Sequence, residues 1–411
     1  MKYLYILFAV FVLSACKESA KENLETSMTE NRLLETTYRG ELKVNDSLNL
    51  PFLFKVLNDS TLEVYNAEEV ITVDEITYEN DSVFIKLPVF EGFIKAKIDE
   101  DKLTGAFVMP EKERVMAFSA SSNTNRFEEE KAATQSLEGV WETTFSPEST
   151  EGQYMAKGIF KQNGQKITGT FRTTTGDYRF LEGVMNGNEF ELSTFDGAHA
   201  FFFKGTVNGE QLKGQFYSGN HWNEPFIAKK NEAYELPDEN SLTYLKDGYE
   251  TIEFSFPDET GNMVSLNDER FKNKVVLLQI MGTWCPNCLD ESRYLADYYK
   301  TNNNGLEIIG LAFEYVKTEE KAFNNIKRLK DRLGITYPIL LAQVGSSSKE
   351  KANDKLPMLN QVLSYPTTIF IDKKGKVRKI QTGFNGPATG DKYVEFKEEF
   401  ESFVNQLKAE E

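Results

Sequence analysis

Apolar and polar residues alternate in short segments between residues 36 and 230, and this pattern predicts a region built only from β-strands. Turn residues interrupt the region roughly every eight to twelve residues, and no segment keeps the 3.6-residue apolar period of a helix. A segment such as Thr168-Gly169-Thr170-Phe171-Arg172 places alternate side chains on opposite faces of a sheet. Two Asn-Gly pairs, Asn163-Gly164 and Asn208-Gly209, predict tight hairpins in which both central residues have a positive φ.

Two parts of this β-rich region resemble each other, which predicts a duplication. The segment Lys102-Leu103-Thr104-Gly105-Ala106-Phe107 in the first part corresponds to Gln211-Leu212-Lys213-Gly214-Gln215-Phe216 in the second. The predicted units are residues 36–120 and 137–232, and the polar, acidic segment 121–136 between them is expected to be a linker. The predicted architecture is a duplicated antiparallel sheet or a barrel.

The aromatic residues of the second unit have two interpretations. In one they line a cavity for a small hydrophobic ligand, and in the other they fill the core or form a dimer face. We favour the second, because any small sheet needs apolar side chains to fold. The residues concerned are Phe190, Phe195, Phe201, Phe202, Phe203, Phe216, Tyr217 and Trp222. His199 and His221 have no Cys or His neighbours at metal-ligand spacing, so they are interpreted as surface or edge residues and no metal site is predicted.

The chemistry that the sequence indicates lies in the last third of the chain. The apolar run 274–280 predicts a strand buried on both faces, and it leads directly into Met281-Gly282-Thr283-Trp284-Cys285-Pro286-Asn287-Cys288. Helical spacing of apolar residues begins at Leu289. A C-x-x-C sequence at a strand-to-helix junction is typical of a redox-active dithiol.

This position explains how the two cysteines would work. The free N–H groups and the dipole of a helix N-terminus favour a thiolate at Cys285 near neutral pH, and Pro286 in the first turn loses no hydrogen bond. Cys288, one turn later on the same face, can attack a mixed disulfide at Cys285. Trp284 would form an apolar rim beside the reactive sulfur. With 3 cysteines and 2 histidines in the chain, neither a disulfide framework nor a usual Cys/His zinc site is available, and no cofactor is predicted.

The segments around the dithiol complete the pattern of a known family. Strands and amphipathic helices alternate after it, at 306–313, 317–333, 337–341, 367–371 and 393–407. With Phe256-Pro257-Asp258-Glu259-Thr260-Gly261, Gly282-Thr283-Trp284-Cys285 and Tyr365-Pro366-Thr367-Thr368, residues 248–411 resemble the TlpA/ResA family of membrane-tethered, extracytoplasmic thiol-disulfide oxidoreductases. The resemblance implies an α/β thioredoxin-like domain after the all-β region, with thiol-disulfide oxidoreductase activity.

The resemblance also implies how a substrate docks. It implies a cis peptide bond at Tyr365-Pro366 that faces the cysteines and leaves the Tyr365 backbone free to pair with an extended substrate. The residues expected at the docking surface are Trp284, Pro286, Tyr365 and Pro366.

Because Pro286-Asn287 places no positive charge between the cysteines, we expect a reductant or an intermediate potential.

One position departs from thioredoxin itself, which has a buried Asp six residues before its first cysteine. This chain has Gln279 there, so proton transfer at Cys288 needs another group. Glu314, at the end of the second strand, is the candidate for that role. A solvated position at the strand end is the other interpretation of Glu314, and the one that we favour.

The first sixteen residues predict that the protein is located outside the cytoplasm. Met1-Lys2 is followed by an apolar run at 3–12, which is shorter than the about 20 residues that span a bilayer and fits a signal peptide. Leu13-Ser14-Ala15-Cys16 resembles the bacterial lipobox, in which the cysteine is lipidated, although an ordinary signal peptide is the alternative. Residues 1–16 are thus a predicted lipoprotein signal peptide, and the polar segment 17–35 a flexible tether to a membrane of the cell envelope.

The net charge of −17 argues against a nucleic-acid partner, because phosphate binding needs clustered Lys and Arg. The expected partners are disulfide-containing envelope proteins, with apocytochrome c as one class that the resemblance permits, and an unidentified membrane electron donor. Two other functions stay open. One is a thiol peroxidase of the AhpC/TSA type, although the usual Pro-x-x-x-Thr-x-x-Cys context is absent. The other is a ligand- or partner-binding lipoprotein with a vestigial redox domain.

Overall fold

The computed structural model describes residues 31–410. The predicted signal peptide, the predicted lipidation site Cys16 and most of the predicted tether lie outside the described residues. The described chain folds into an all-β region followed by an α/β domain, which confirms the predicted fold class.

The first β-unit is an antiparallel meander in which the first strand lies beside the last. The sheet order β4-β3-β2-β1-β9-β8-β7-β6-β5 leaves β4 and β5 as its two edges. Every second residue of β1 is buried up to Val44, as expected of a sheet with one face on a core. The strands are β1 (Thr37–Asn45), β2 (Leu48–Asn58), β3 (Thr61–Asn66), β4 (Glu69–Val73), β5 (Glu75–Glu79), β6 (Ser82–Lys86), β7 (Phe93–Asp99), β8 (Lys102–Met109) and β9 (Arg114–Ser122).

The second β-unit repeats this topology and closes into a barrel. Its strands are β10 (Gly139–Phe145), β11 (Tyr154–Asn163), β12 (Lys166–Thr173), β13 (Gly176–Asp177), β14 (Leu181–Asn186), β15 (Glu189–Phe195), β16 (Ala200–Asn208), β17 (Gln211–Ser218) and β18 (Trp222–Lys230). The first strand, β10, pairs with both β11 and β18, and the additional pairing of β11 with β12 completes the ring. The short β13 pairs with β12 alone. The shared strand order agrees with the predicted duplication.

The two hairpins with Asn-Gly pairs differ from the prediction by one residue. Asn163 pairs with Lys166 across the ladder, so the loop residues are Gly164 and Gln165. Of the Asn-Gly pair only Gly164 has a positive φ, +64°, and Gly209 in the second hairpin is the same, at +61°. A glycine at the first loop position is the type II′ arrangement, which needs only one residue with a positive φ.

The predicted tether and the predicted linker each contain a residue that is buried in the fold, although their polar composition indicates solvent-exposed segments. Leu33 is 4% exposed and belongs to the core of the first β-unit, so the tether does not extend to residue 35. The segment 123–138 has no strand, but Arg126 within it is buried. Its Nε donates to Ser193 Oγ at 2.8 Å and its Nη2 to Asn66 Oδ1 at 3.1 Å. The linker therefore joins the two β-units through buried hydrogen bonds.

Most of the aromatic residues singled out in the second β-unit pack in a hydrophobic core, as the favoured interpretation predicts. Those in the core of the second β-unit are Phe190, Phe201, Phe203 and Phe216, while Phe195 and Phe202 pack in the core of the first. Tyr217 is partly buried, and Trp222 is the exception, at 56% exposed. His221 is exposed, and His199 is partly buried with its Nδ1 3.2 Å from the Asp196 carboxylate.

The α/β domain has a central sheet with the strand order β23-β22-β21-β24-β25. The strands β23, β22 and β21 are parallel to one another, β24 is antiparallel to β21, and β25 is antiparallel to β24. All residues of β21 and β22 are buried, as in strands that are covered on both faces. The elements are β19 (Phe256–Pro257), β20 (Met263–Val264), β21 (Val275–Met281), α1 (Pro286–Asn302), β22 (Leu306–Phe313), α2 (Glu319–Leu333), β23 (Ile339–Gln343), α3 (Lys349–Lys355), β24 (Thr367–Ile371), β25 (Val377–Thr382) and α4 (Asp391–Ala409). Within residues 31–410, no helix has the length and apolar character needed to cross a bilayer.

Candidate functional site

The two cysteines lie where β21 meets α1, at the edge of the sheet. Cys285 caps the helix with an extended backbone (φ −101°, ψ 114°), and its sulfur accepts the Cys288 N–H at 3.2 Å. Pro286 occupies the first turn, where the missing N–H costs no hydrogen bond. The cysteines form a disulfide with a Cα–Cα distance of 5.2 Å. Cys285 is 7% exposed and Cys288 is fully buried, so a partner can reach only the first sulfur.

The predicted docking residues surround Cys285. The Cys285 sulfur lies 3.4 Å from the carbonyl oxygen of Tyr365, and the Tyr365-Pro366 peptide bond is cis, as the resemblance implies. The indole of Trp284 donates to the Phe313 carbonyl at 2.9 Å and meets the Tyr365 ring edge-on at 5.5 Å. These contacts fix the aromatic rim next to the sulfur.

Glu314 is fully buried, which corrects the solvated position that its place at a strand end suggested. Its two carboxylate oxygens accept the Thr283 N–H and the Thr283 hydroxyl, both at 2.7 Å. Burial raises the pKa of Glu314 to about 7, although the two donors from Thr283 oppose the shift. The chain places the acid inside because Thr283, two residues before Cys285, supplies both donors. Glu314 is therefore a carboxyl group that can hold a proton near neutral pH beside the dithiol loop.

A second buried acid, Glu291, lies on α1 and was not predicted. Gln279 Nε2 donates to Glu291 Oε2 at 2.8 Å, and the Thr368 hydroxyl donates to its other oxygen at 2.7 Å. Burial raises the pKa of Glu291 to about 7, against the effect of both donors. The signal was present in the sequence, because Glu291 follows Cys288 by three residues and so shares its inward helix face. Gln279 itself, whose Oε1 accepts the Ser292 hydroxyl, connects β21 to this acid rather than carrying the proton.

The stability of the protein should fall as pH rises from about 4.5 to about 7 because of these two acids. The folded pKa of each lies above its ordinary 4.5, so in this window the folded state holds a proton that the unfolded state has released. Each acid contributes its full stabilisation below the pKa that it has in the unfolded state, and this contribution is lost as pH rises to the pKa that it has in the folded state. The free energy of unfolding should fall by about 3 kcal/mol for each acid. Urea denaturation as a function of pH should show a shallower fall for Glu291→Gln and for Glu314→Gln than for the wild type.

Glu307 offers a matched control for this measurement. It is also buried, but its pKa is lowered, since hydrogen bonds from Lys274 and Arg270 outweigh its burial. Its contribution is present at neutral pH and is lost as pH falls through the folded pKa. Glu307→Gln should therefore leave the fall between pH 4.5 and 7 intact, and a wild-type curve that is flat there would contradict the raised pKa values.

A buried ionic cluster next to α1 joins the α/β domain to both β-units. Arg179, on the loop after β13, is almost fully buried and pairs with Glu69 of the first β-unit at 2.6 Å, with Asp196 of the second at 3.4 Å and with Asp290 of α1. Burial alone would raise the pKa of Asp196, but His199 and Arg179 hold it well below its ordinary value. No sequence pattern indicated this cluster, since its members are far apart along the chain.

Comparisons with known proteins place a family match on the α/β domain. The family model described as Redoxin matches residues 246–394. The chain is 28% identical over 139 residues to "Thioredoxin-like protein YneN" of Bacillus subtilis (strain 168), covering 34% of this chain and 73% of that protein. It is 30% identical over 140 residues to "Thiol-disulfide oxidoreductase ResA" of the same organism, covering 34% of this chain and 69% of the relative.

A further relative and one solved structure complete the comparison. "Thiol-disulfide oxidoreductase ResA" of Geobacillus thermodenitrificans (strain NG80-2) is 31% identical over 132 residues, which is 32% of this chain and 66% of the relative. A "thiol-disulfide oxidoreductase from Bacteroides fragilis NCTC 9343" aligns over 36% of this chain and 99% of its own, with 23% identity and a TM-score of 0.27. Each of these proteins therefore aligns with about a third of the chain.

Proposed function

The chain belongs to the TlpA/ResA family of thioredoxin-fold thiol-disulfide oxidoreductases, and from this premise we propose that it reduces disulfides of envelope proteins while anchored to a membrane. Cys285 is proposed as the attacking cysteine and Cys288 as the resolving one. Trp284, Pro286, Tyr365 and Pro366 are proposed to form the surface on which the substrate docks.

The observation that carries the proposal is the set of contacts around the Cys285 sulfur. It caps a helix, accepts the Cys288 N–H and faces the Tyr365 carbonyl, and it belongs to the more exposed of the two cysteines. A helix N-terminus lowers the pKa of a thiol, so the reduced protein presents a thiolate nucleophile at this position. The arrangement supports dithiol exchange and gives no reason for a vestigial domain.

The proposed reaction transfers two electrons from the dithiol to the substrate. The Cys285 thiolate attacks one sulfur of the substrate disulfide, so that a mixed disulfide forms and the substrate's other sulfur leaves as a thiolate, which takes up a proton. Cys288 then loses its proton, attacks the Cys285 sulfur and releases the second substrate thiolate. The protein ends as the Cys285–Cys288 disulfide. Glu314 and Glu291, both with pKa values of about 7, are the proposed acceptors for the Cys288 proton.

The direction of transfer can be tested by the reduction potential of the cysteine pair. No cationic side chain lies between the cysteines to stabilise the thiolate, so we expect a value near that of thioredoxin, about −270 mV. Equilibration of the full chain against dithiothreitol buffers, read by mass after thiol alkylation, measures it. A value near −120 mV, typical of a strong periplasmic oxidant, would reverse the proposed direction.

The location, substrates and electron donor are further parts of the proposal. The lipobox-like sequence ending at Cys16 supports a lipid anchor on an extracytoplasmic face of the cell envelope, towards the periplasm or the cell surface. Envelope proteins with disulfides, apocytochrome c among them, are the proposed substrates, and a membrane protein is the proposed donor that reduces the pair again. The peroxidase alternative is not favoured, because the ResA relatives are described as thiol-disulfide oxidoreductases.

A further inference from the structure

The second β-unit covers one side of the dithiol. The hairpin formed by the end of β12 and by β13, residues 173–177, lies against the α/β domain, and we name it the covering hairpin. Asn287, between the two cysteines, donates its side-chain amide to the Asp177 carbonyl at 3.3 Å. Ser364, directly before Tyr365, donates its hydroxyl to the Thr175 carbonyl at 2.8 Å. The hairpin therefore contacts both segments that flank the Cys285 sulfur.

Two glycines allow the covering hairpin to approach this closely. A Cβ on Gly383, directly after β25, would lie 2.8 Å from the Thr175 carbonyl carbon and 3.0 Å from its Cα and oxygen. A Cβ on Gly176 would overlap the side-chain amide of Asn287. Both glycines have a positive φ, +76° and +147°. The backbone of the hairpin is thus in direct contact with the backbone beside the docking surface.

Buried polar contacts hold the hairpin in place at both ends. The Asp177 carboxylate accepts the Gly386 N–H at 2.8 Å, and Arg172 Nε donates to Asn385 Oδ1 at 2.8 Å. Arg179, two residues after the hairpin, pairs with Asp290 of α1. These contacts connect the hairpin to the α/β domain as one packed surface.

The first β-unit approaches the dithiol from the side of Trp284. A small cavity there is lined by Glu91, Gly92, Lys112, Ala198, Trp284 and Tyr315. Val89 and Phe90, from the same loop of the first β-unit, are buried in the core of the α/β domain. The loop thus lies near Trp284 and the covering hairpin contacts Asn287 and Ser364, while Cys285 itself keeps only 7% of its surface exposed.

We propose that the covering hairpin determines which disulfides react with Cys285. It excludes disulfides set in the flat surface of a folded protein and admits those on a narrow, unfolded segment. The physical reason is that a broad partner collides with the backbone of Thr175 and Gly176 before its sulfur reaches Cys285. An extended chain has little bulk beside its disulfide, so under this proposal it reaches Cys285 without meeting the hairpin and pairs with the Tyr365 backbone. This inference rests on the proposed function, since it assigns the substrate class of the same site.

The test compares one reacting group on two carriers. A glutathione mixed disulfide is formed on a cysteine in a short unstructured peptide, and on the same cysteine placed on the sheet surface of a small folded domain. Reduction of each by the reduced full chain is followed by mass. We expect the wild type to reduce the peptide conjugate at least roughly tenfold faster, because the folded carrier reacts only with a minor, opened form of the protein.

Gly383→Ala and Gly375→Ala form a matched pair of variants. Both glycines lie in the α/β domain with similar positive φ values, +76° and +80°, so both substitutions bring similar backbone strain. Of the two, only Gly383 faces the covering hairpin, since no atom other than those of Gly375 and its chain neighbours lies within 4 Å of a Cβ on Gly375. Gly383→Ala should raise the rate with the folded carrier several-fold and leave the peptide rate unchanged, whereas Gly375→Ala should change neither rate.

Alkylation keeps the inference testable apart from the proposed function. N-ethylmaleimide and a polyethylene-glycol maleimide react by the same chemistry but differ in size. The alkylation ratio is the rate with the large reagent divided by the rate with N-ethylmaleimide. This ratio should be lower for wild-type Cys285 than for a cysteine in a peptide, and Gly383→Ala should raise it. Equal rates for both carriers in the wild type, or equal behaviour of Gly383→Ala and Gly375→Ala, would overturn the inference while the proposed function stood. Failure to reduce even the peptide conjugate would refute the proposed function, and the alkylation ratio would then decide the inference alone.

Discussion

Replacing Cys288 with Ser should trap the protein in covalent complexes with its substrates. Cys285 can still attack a disulfide, but no second thiol is present to release the product, so the mixed disulfide accumulates. When the variant is expressed in cells and the thiols are blocked with acid and N-ethylmaleimide, conjugates that dithiothreitol cleaves should appear on non-reducing gels. Cys285→Ser should form none of them and should reduce disulfides at least roughly a thousandfold more slowly than the wild type, because a hydroxyl replaces the thiolate nucleophile.

The same experiment tests the proposed membrane anchor. The conjugates of Cys288→Ser should sediment with the membranes, and they should move to the soluble fraction when Cys16 is also replaced by Ser. Conjugates in equal amounts from Cys285→Ser and Cys288→Ser would contradict the assignment of the two cysteines. Sedimentation that is unaffected by Cys16→Ser would contradict the lipid anchor and leave the exchange mechanism intact.

Replacing Arg179 with Met should lower the free energy of unfolding by about 3–5 kcal/mol, which is typical of removing one partner from a buried ion pair. Arg179 faces Glu69, Asp196 and Asp290, its side chain is 4% exposed, and of the three carboxylates Asp290 also pairs with Arg293 and Asp196 also contacts His199. Met has a similar length and fills the space, so the loss reports on the uncompensated carboxylates rather than on a cavity. Urea denaturation followed by circular dichroism measures it.

Arg332→Met is the matched control for the Arg179 variant. Arg332 also connects the α/β domain to a β-unit, since it binds both carboxylate oxygens of Asp74 at 2.8 and 2.7 Å, but this pair is about a third exposed on the arginine side. Its loss should cost about 1 kcal/mol or less. Adding Glu69→Gln to Arg179→Met should recover part of the stability, because Glu69 loses its ion-pair partner when Arg179 is replaced, whereas Asp290 keeps its pair with Arg293. If both arginine variants lose the same free energy of unfolding, burial of the ionic cluster adds nothing to the stability of the protein.

The sequence predicted the features that depend on local order along the chain. The dithiol sits at a strand-to-helix junction because the apolar strand β21, Cys285, Pro286 and the first turn of α1 follow one another directly. The two β-units follow from alternation and regular turns, which act over a few residues. Even the one-residue error in the hairpin at Gly164 is local, because the glycine was correctly placed in the turn and only the neighbour in the loop was wrong.

The acids beside the dithiol could be predicted only in part. The position of Gln279 showed that a proton acceptor was missing there, but no pattern in the sequence states that Thr283 and Glu314 meet. Glu314 directly follows the neighbouring parallel strand β22, and Glu291 lies on α1. Burial by the whole domain raises the pKa of both. Their chemistry depends on the surroundings and not on the residue type alone.

The sequence by itself determined the redox chemistry of this protein, because the reactive thiol needs only a helix N-terminus and a second cysteine one turn away. Only the tertiary structure decided which distant segments lie beside that thiol. The contacts of Thr175 with Ser364 and Gly383, and of Arg179 with Asp290, join residues more than a hundred positions apart. Such contacts arise from the packing of the two β-units against the α/β domain, and their relative placement is set by complementary surfaces that no local pattern encodes.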